Sequence, residues 1–262
     1  MSKTLGLALG SGGARGVAHA GFLKALDEGG IKPDYIAGCS MGAVVGGCFA
    51  SGMTATEIHQ RVLSIKKREI IDLSPSISQM SILRGKKIRD LLLAHLKTDN
   101  IEDFPIPFKC VATELYSGKL HVFERGEAAL AIQASSAIPA ILRPVKYKNK
   151  LFVDGGCLCR VPVRQVKEMG ADVVVAVDVL KNCAEPIKSL DNILEMVLRV
   201  FDVMDNHNTQ NLKAGDKNII DLWLEPEMKG MSQYVIKDLD RAFEEGYVLG
   251  KENLEKIKEL IK

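Results

Sequence analysis

The sequence predicts an α/β protein in which a central, mostly parallel sheet lies between two layers of helices. The first indication is the order strand, turn, helix, strand, turn, helix over residues 5–50, because repeated βα units favour parallel strands. The second is the apolar stretch 172–179, whose lack of alternation is typical of a parallel strand covered on both faces. With 47% hydrophobic and 26% charged residues, the chain also has an ordinary globular composition, which excludes disordered and fibrous classes.

The predicted elements follow one another with clear boundary residues. The first strand, 5–9, ends in the glycine-rich turn 10–16, and a double glycine at 29–30 ends the helix after it. Thr54 with Glu57 is a capping-box pattern, which predicts a helix to about residue 68. The other predicted strands are 34–39, 108–114, 119–124, 150–154, 172–179 and 219–224, and the other predicted helices are 41–50, 86–97, 127–135, 162–169, 189–212 and 238–262. With no repeat or linker in this series, we expect residues 1–262 to form a single domain.

Residues 70–84 interrupt this regular pattern. They are rich in serine, and their apolar residues have no clear period, so the sequence predicts a long loop. Loops of this length inside compact domains are often lids or binding loops, which makes 70–84 a candidate lid. A loop that simply packs on the surface is the alternative.

Charge is balanced over the whole chain but not locally. The formal charge of +2, from 35 basic and 33 acidic residues, gives no overall field that would attract nucleic acid, and no such partner is expected. Residues 61–97, which include the candidate lid, hold nine basic and three acidic side chains, a local excess of +6. We hypothesise that this segment faces anionic lipid headgroups and that four apolar side chains touch acyl chains, namely Ile77, Met80, Ile82 and Leu83.

The cysteines and the N-terminus indicate the compartment. Six cysteines, at 39, 48, 110, 157, 159 and 183, are too sparse for a disulfide-stapled domain, so we expect reduced thiols. The apolar stretch near the N-terminus stops at Gly10, too early for a signal peptide, and no window approaches the roughly 18–20 apolar residues that span a bilayer. We expect a cytoplasmic protein, with any membrane contact peripheral at the inner membrane surface. The oligomeric state is left open.

Residues 38–42 form a candidate nucleophile site. Gly38-Cys-Ser-Met-Gly42 fits G-x-S-x-G between a predicted strand and a predicted helix, which is the setting of a nucleophile elbow. Gly38 and Gly42 allow a tight turn that leaves the Ser40 hydroxyl at its apex, near a helix N-terminus. An ordinary βα turn with a serine has the same local pattern, so this motif alone does not decide between the two interpretations.

The turn 10–16 is a candidate oxyanion hole. It offers backbone N–H groups at a second helix N-terminus, from Gly12, Gly13, Ala14 and Arg15, with the two glycines as the expected donors. A dinucleotide-binding fingerprint fails because Arg15 occupies its last glycine position, and a phosphate-binding P-loop fails because no Gly-Lys-Ser/Thr ends the run. Two such turns, one with a serine at its apex, favour acyl or ester chemistry over nucleotide binding.

A histidine base is not evident. The five histidines, at 19, 59, 95, 121 and 207, fall inside predicted helices or a strand and are interpreted as packing or surface residues. An α/β-hydrolase, with its order of serine, acid and histidine, would leave only His207, midway along a predicted helix.

Four motifs together resemble the patatin-like phospholipase family, in particular its small bacterial members. They are Gly10-Ser-Gly-Gly-Ala-Arg-Gly16, Gly38-Cys-Ser-Met-Gly42, Ala134-Ser-Ser-Ala-Ile-Pro139 and Asp154-Gly-Gly156, in the family's order and across nearly the whole chain. The resemblance implies a three-layer α/β/α fold and a Ser-Asp dyad without histidine. In that dyad Ser40 is the nucleophile and Asp154 the base, Gly155 and Gly156 form the dyad loop, and the region of Gly12 and Gly13 is the oxyanion hole.

The resemblance also implies the reaction, which is calcium-independent hydrolysis of acyl esters of phospholipids and other lipids. No metal or other cofactor is expected. The Cys157-x-Cys159 pair could indicate redox or metal chemistry, but without a second cysteine or histidine cluster nearby two reduced structural thiols are expected.

Two positions depart from the family pattern, and two other functions stay open. Ser11 lies where many relatives have glycine, and Arg160 lies where the family's Asn-x-Pro pattern leads us to expect asparagine, which affects the support of the aspartate loop. One alternative is an esterase or thioesterase acting on small soluble acyl substrates. The other is a lipid-binding regulatory module with little turnover, which Arg160 makes conceivable. The lipid and the ester position are not indicated by the sequence.

Overall fold

The computed structural model describes residues 2–74, 81–181, 183, 187 and 189–262. Its strands are β1 (Leu5–Leu9), β2 (Tyr35–Cys39), β3 (Ser81–Leu83), β4 (Phe108–Glu114), β5 (Lys119–Phe123), β6 (Ala140–Leu142), β7 (Val145–Tyr147), β8 (Lys150–Asp154), β9 (Val173–Val177) and β10 (Leu222–Leu224). Its helices are α1 (Ala18–Glu28), α2 (Met41–Ala50), α3 (Ala55–Ser64), α4 (Lys67–Ile70), α5 (Lys86–His95), α6 (Ala128–Ser135), α7 (Val163–Glu168), α8 (Ile193–Gly215) and α9 (Leu239–Ile261). Short 3₁₀ turns cover Gly13–Val17, Ile101–Asp103 and Gly155–Cys157.

The main sheet is mixed, and most of its strands are parallel. β10, β9, β1, β2 and β4 lie side by side in that order, and each neighbouring pair is parallel. β5 and β8 pair with β4 in antiparallel orientation, and β7 continues antiparallel from β8. β3 and β6 form a separate parallel pair. The predicted central, mostly parallel sheet is therefore confirmed.

The two faces of β9 show that the sheet is the middle layer of three. Val173, Val175 and Val177 belong to the larger core, together with side chains of α1, α2 and α9. Val174 and Ala176 belong to a second core, together with side chains of α7. Because successive side chains of a strand point to opposite faces, these two cores lie on opposite sides of the sheet. The predicted three-layer α/β/α architecture is confirmed.

The helix predicted from the capping box is shorter than expected. The box itself forms, since the Glu57 N–H donates to Thr54 Oγ1 at 3.1 Å. The helix ends at Ser64 instead of near residue 68, because Ile65 adopts an extended conformation with φ −61° and ψ 121°. The Lys66 N–H then donates to the side chain of Glu69 at 2.7 Å, which caps the short helix α4 that follows.

The candidate lid contains more regular structure than a plain loop. β3 pairs with β6, a strand that the sequence analysis did not predict, and Ser74 N donates to Ile82 O at 2.8 Å. Residues 75–80, with Ile77 and Met80 of the membrane hypothesis, lie outside the described residues. That 70–84 moves as a lid stays a prediction, as does the single-domain organisation of 1–262.

Candidate active site

Ser40 lies in a strained turn between β2 and α2. Its backbone has φ 53° and ψ −122°, a conformation that residues with a side chain rarely adopt and that is often kept at functional sites. The flanking glycines make this turn sterically feasible. A Cβ on Gly38 would lie 2.6 Å from the Ala43 nitrogen, and a Cβ on Gly42 would lie 2.2 Å from the Leu9 carbonyl oxygen. The G-x-S-x-G pattern thus corresponds to a tight elbow with Ser40 at its apex.

Asp154 is the last residue of β8 and is held by the chain around it. Its side chain is buried, and its Oδ1 accepts a hydrogen bond from the Gly156 N–H at 2.8 Å. Its carbonyl oxygen accepts from the Thr113 hydroxyl at 3.0 Å. Gly155 is needed for close packing, because a Cβ there would lie 2.4 Å from the Val111 carbonyl oxygen. The aspartate has one defined orientation.

The structure brings the side chains of Ser40 and Asp154 together. Burial raises the pKa of Asp154 from 3.8 to about 6, and the nearby Ser40 hydroxyl, the Gly156 N–H and the Cys39 thiol oppose this by stabilising the carboxylate. Asp154 Oδ2 has no hydrogen-bond partner among the described residues. At neutral pH a buried carboxylate with a spare acceptor oxygen therefore lies beside the serine hydroxyl.

The segment 134–139 connects these two side chains. Ser135 Oγ accepts a hydrogen bond from the Ser40 N–H at 3.0 Å. Two residues further on, the Ala137 carbonyl oxygen accepts from the Asp154 N–H at 2.9 Å. The sequence marks this segment as one of four motifs but indicates no role for it. In the structure it fixes the backbone of both candidate catalytic residues.

The glycine-rich turn emerges at the same sheet edge as the elbow. β1 and β2 are parallel neighbours with Leu9 opposite Gly38, so the turns that follow them lie side by side. They are in contact, because a Cβ on Gly16 would lie 2.4 Å from Met41 Cγ. A group bound to the N–H groups of the turn would therefore be near the elbow.

The four predicted oxyanion-hole residues are not equivalent. The Ala14 N–H donates to the Gln233 carbonyl oxygen at 2.9 Å, and the Arg15 N–H donates to the Gly12 carbonyl oxygen at 3.0 Å. The N–H groups of Gly12 and Gly13 donate to no group among the described residues. Gly13 has φ +49°, the left-handed region that glycine adopts without strain. The two glycines are thus the members of the set whose N–H groups remain available.

His19 supports this turn, a contact that sequence reasoning missed. Its ring is fully buried, and Nε2 lies 2.8 Å from the Gly10 carbonyl oxygen. Burial lowers the pKa of His19 to about 4, so the ring is neutral at physiological pH and Nε2–H donates to Gly10. No histidine hydrogen-bonds to Ser40 or Asp154 in the part of the chain that the structure describes.

The two cysteines that follow Asp154 are free thiols, of which Cys157 is half-buried and Cys159 is buried. Burial raises the pKa values of Cys157 and Cys159 to about 12, so both are protonated at neutral pH. Within the described residues, no three side chains of the types that ligate metals lie close enough together to hold an ion.

Some basic side chains of the segment 61–97 form ion pairs. Arg61 pairs with Glu69 at 2.9 Å, and Arg89 pairs with Glu127 at 2.7 Å. The side chain of Ile82 is 45% exposed, whereas Leu83 packs against the core. Lipid contact by this segment stays a prediction. None of the helices in the described ranges has the length and apolarity required to span a bilayer.

The family is shown by a match to the model of the patatin-like phospholipases, which covers residues 7–167. This chain belongs to the patatin-like phospholipase family. Among curated relatives of this patatin-like chain, an uncharacterised NTE family protein of Mycobacterium bovis is 42% identical over 191 residues, which are 72% of this chain and 53% of that protein. Lysophospholipase NTE1 of Debaryomyces hansenii is 32% identical over 184 residues, 68% of this chain and 12% of that protein. The chain therefore spans about half or less of the length of these relatives.

The fold of this patatin-like chain is also similar to a solved structure. The crystal structure of VipD from Legionella pneumophila superposes with a TM-score of 0.54 at 14% sequence identity, covering 97% of this chain and 67% of that one. At that level of identity the likeness concerns the fold alone, and it agrees with the three layers described above.

Proposed function

We propose that this chain is a serine hydrolase of lipid acyl esters, of the phospholipase A or lysophospholipase type. The observation that carries the proposal is the meeting of Ser40, in its strained turn, with the buried carboxyl of Asp154. Membership of the patatin-like family, with a relative named as a lysophospholipase, supports lipid esters as the substrate class.

In the proposed mechanism Asp154 acts as the base. Its carboxylate takes the proton from Ser40 Oγ while that oxygen attacks the carbonyl carbon of the ester. The N–H groups of Gly12 and Gly13 stabilise the negative charge that forms on the carbonyl oxygen. Collapse of this intermediate releases the alcohol, which receives the proton from Asp154, and leaves an acyl group on Ser40. Asp154 then takes a proton from water, whose oxygen attacks the acyl carbon. Collapse of this second intermediate releases the fatty acid, and Ser40 Oγ takes the proton back from Asp154.

The raised pKa of Asp154 is useful for this role. A carboxylate with an ordinary pKa near 3.8 is a very weak base toward a serine hydroxyl, because the pKa values of the two groups are far apart. A pKa of about 6 for Asp154 narrows this mismatch in pKa while leaving the group ionised at pH 7. The mismatch that remains makes the oxyanion donors important, since removal of one such donor in other enzymes lowers kcat by about 10²–10³.

Exposed apolar side chains on α8 support a lipid substrate over a small soluble ester. Five of them, at 46–78% exposure, are Ile193, Met196, Val200, Val203 and Met204. Soluble proteins rarely expose an apolar patch of this kind without a binding role. The opposite, buried face of the same helix contacts the region of the site through Asp205, which pairs with Arg160 at 3.0 Å.

The test is labelling by a fluorophosphonate probe, which reacts with activated serines. We expect the wild type to be labelled, Ser40→Ala to be unlabelled, and Asp154→Asn to label at least about 10³-fold more slowly, because the nucleophile is then no longer deprotonated by a base. Ser51→Ala is the matched control, since Ser51 is also buried. Its hydroxyl bonds to the carbonyl oxygen of Cys48 in α2 and to the N–H of Lys97, which follows α5, and to neither candidate catalytic residue.

Labelling that persists in Ser40→Ala would contradict the nucleophile assignment. A wild type that neither labels nor hydrolyses esters would favour the lipid-binding module instead. A chain-length series of acyl esters separates the remaining alternative, because a lipid hydrolase should lose kcat/KM on short soluble esters and thioesters relative to lysophospholipid.

A further inference from the structure

A buried ionic cluster lies near the candidate active site. The Arg160 side chain is 1% exposed, with Nη2 at 2.8 Å from Asp178 Oδ2 and Nη1 at 3.0 Å from Asp205 Oδ2. We call these three side chains the Arg160 cluster. They come from three separate elements, because Arg160 precedes α7, Asp178 follows β9, and Asp205 lies on α8. Asp205 is close enough to Asp154 for the two negative charges to repel each other.

The stability of the fold does not by itself account for this cluster. Burying charges has a large desolvation cost, and replacement of a buried ion pair by uncharged side chains of similar size is often neutral for stability. Here Arg160 Nε and Asp205 Oδ1 also lack hydrogen-bond partners among the described residues, so the cluster is not fully compensated. In some proteins a buried ionic cluster is retained because it fixes the relative position of the segments that it joins.

The backbone of Arg160 forms one wall of the glycine-rich turn. The Ser11 N–H donates to the Arg160 carbonyl oxygen at 3.0 Å. Ser11 directly precedes Gly12. The position of the Arg160 backbone therefore affects the position of the Gly12 N–H, the first available N–H group of the turn.

Asp178 belongs to a second segment that borders the glycine-rich turn. The Gly10 N–H donates to the carbonyl oxygen of Val177, the residue before Asp178, at 3.0 Å. Val179, the residue after it, packs on Gly12 so closely that a Cβ on Gly12 would lie 2.2 Å from Val179 Cγ2. Asp178 Oδ1 also accepts from the Leu180 N–H at 3.0 Å, which fixes the bend of this segment.

Asp205 links Arg160 to α8, and a second aspartate on the same helix supports another contact of the turn. Asp202 lies three residues earlier, on the same side of the helix. It accepts hydrogen bonds from the side chains of Gln233, at 2.6 Å, and Tyr234. The Gln233 carbonyl oxygen is the acceptor for the Ala14 N–H. Two inward-facing carboxylates of α8 thus hold the structures on which the glycine-rich turn rests.

We propose that Arg160 is a positioning residue for the glycine-rich turn. Its guanidinium bonds to Asp178, so the segment around residues 177–179 and the backbone of Arg160 are held together on the turn. This fixes the N–H groups of Gly12 and Gly13 relative to Ser40. Arg160 acts through the turn and does not touch the reacting atoms. The effect on catalysis rests on the ester hydrolysis proposed above, whereas the effect on the turn does not.

The test replaces the whole cluster, so that no buried charge is left unpaired. The variant Arg160→Met/Asp178→Asn/Asp205→Leu is compared with the wild type and with Arg164→Met, a control that removes an arginine paired with Asp216 from the exposed side of α7. Three quantities are measured: the melting temperature, kcat and KM on a short-chain aryl ester, and hydrogen exchange of the backbone amides in residues 10–16.

We expect the triple variant to melt within about 5 °C of the wild type, since uncharged replacements of buried ion pairs are often neutral. Its kcat should fall about 100-fold, with KM changed less than about 3-fold, as expected when a transition-state contact is lost. Exchange in residues 10–16 should become at least about tenfold faster, because the bond from the Ser11 N–H to Arg160 loosens. Arg164→Met should match the wild type in kcat and exchange.

A triple variant with wild-type kcat and wild-type exchange would overturn the proposal, and so would a fall in melting temperature alone. Arg160→Lys is the second variant in case the triple variant does not fold. It retains the charge but loses the planar fork that bonds both aspartates, so we expect about tenfold effects on kcat and exchange, and their absence would count equally against the proposal. If the wild type has no esterase activity, the proposed function fails, while hydrogen exchange still decides whether Arg160 positions the turn.

Discussion

The elbow at Ser40 and the glycine-rich turn at 10–16 are both strand-to-helix turns, but they are held in different ways. They follow neighbouring parallel strands and meet at one sheet edge. The elbow combines local bonds with one long-range bond. The Ser40 carbonyl oxygen accepts from the N–H groups of Ala43 and Val44 in the first turn of α2, and the Ser40 N–H donates to Ser135 Oγ. The glycine-rich turn is held by residues distant in sequence, through the carbonyl oxygens of Arg160 and Gln233.

The difference shows that a short motif can specify a strained nucleophile turn but not the position of the donors beside it. A positive φ at a non-glycine residue costs about 1–3 kcal/mol, and the elbow meets this cost through close packing made possible by Gly38 and Gly42. The donors of the glycine-rich turn depend on where later parts of the chain pack. Substitutions at glycines in the two turns should therefore have different consequences.

Gly42→Ala should have the largest effect, and the effect should be on stability. The added Cβ would lie 2.2 Å from the Leu9 carbonyl oxygen and 2.6 Å from that of Gly10. Leu9 ends β1 of the central sheet, and Gly10 begins the glycine-rich turn. We expect a loss of about 3 kcal/mol, or roughly 10 °C in melting temperature. Gly215→Ala is the control, because a Cβ at that helical position meets no atom within 4 Å. Equal melting temperatures for the two variants would show that the elbow is not tightly packed.

Gly13→Ala should affect activity more than stability. Its φ of +49° disfavours a side chain, and the added Cβ would lie 2.2 Å from the Gln233 carbonyl oxygen, so the turn must shift. We expect kcat/KM on a short-chain ester to fall about 100-fold, as for the loss of one oxyanion donor. Gly30→Ala is matched in backbone conformation, with φ +73° but open space around it, and should share the modest stability loss while retaining activity. Full activity in Gly13→Ala would remove this turn from the oxyanion hole.

The pH dependence should report on Asp154, which lies at the elbow. Because the carboxylate is the base, kcat/KM should rise with pH, reach a plateau above about 6, and fall about tenfold per pH unit below it. Stability should change in the opposite direction. The folded protein holds the Asp154 proton more tightly than the unfolded chain, whose ordinary pKa is 3.8, so this group's contribution to stability is lost as pH rises from about 4 through 6.

The variant Asp154→Asn is the check on this assignment. It should remove the share of Asp154 from the loss of stability between pH 4 and 6, while the share of Asp205 remains. It should also remove the change near pH 6 from whatever labelling remains. A wild-type profile that is flat between pH 5 and 7 would mean that another group is the base. Burial also raises the pKa of Asp205, to about 7. The variant Asp205→Asn distinguishes the two carboxyls, because it should leave the fall of kcat/KM below about pH 6 in place.

The amino-acid sequence was sufficient for the fold class and for the pair of candidate catalytic residues. Apolar continuity in β9 predicted a strand buried on both faces, and Gly38 and Gly42 predicted a tight turn at Ser40. These features are local, because backbone sterics and the period of apolar residues act over a few positions. The Ser-Asp assignment also needed the joint occurrence of four motifs.

Only the tertiary structure decided which N–H groups of the turn are available and what surrounds them. The sequence named Gly12, Gly13, Ala14 and Arg15, with the two glycines as the expected donors. It gave no sign that the packed chain places the Gln233 carbonyl oxygen on the Ala14 N–H. It likewise treated Arg160 as a departure from a pattern. Its bonds to Asp178 and Asp205 join elements that are distant in sequence, and no local pattern encodes such pairings. Burial of polar groups forces them to find partners wherever the fold provides them, so these contacts are determined by the whole chain.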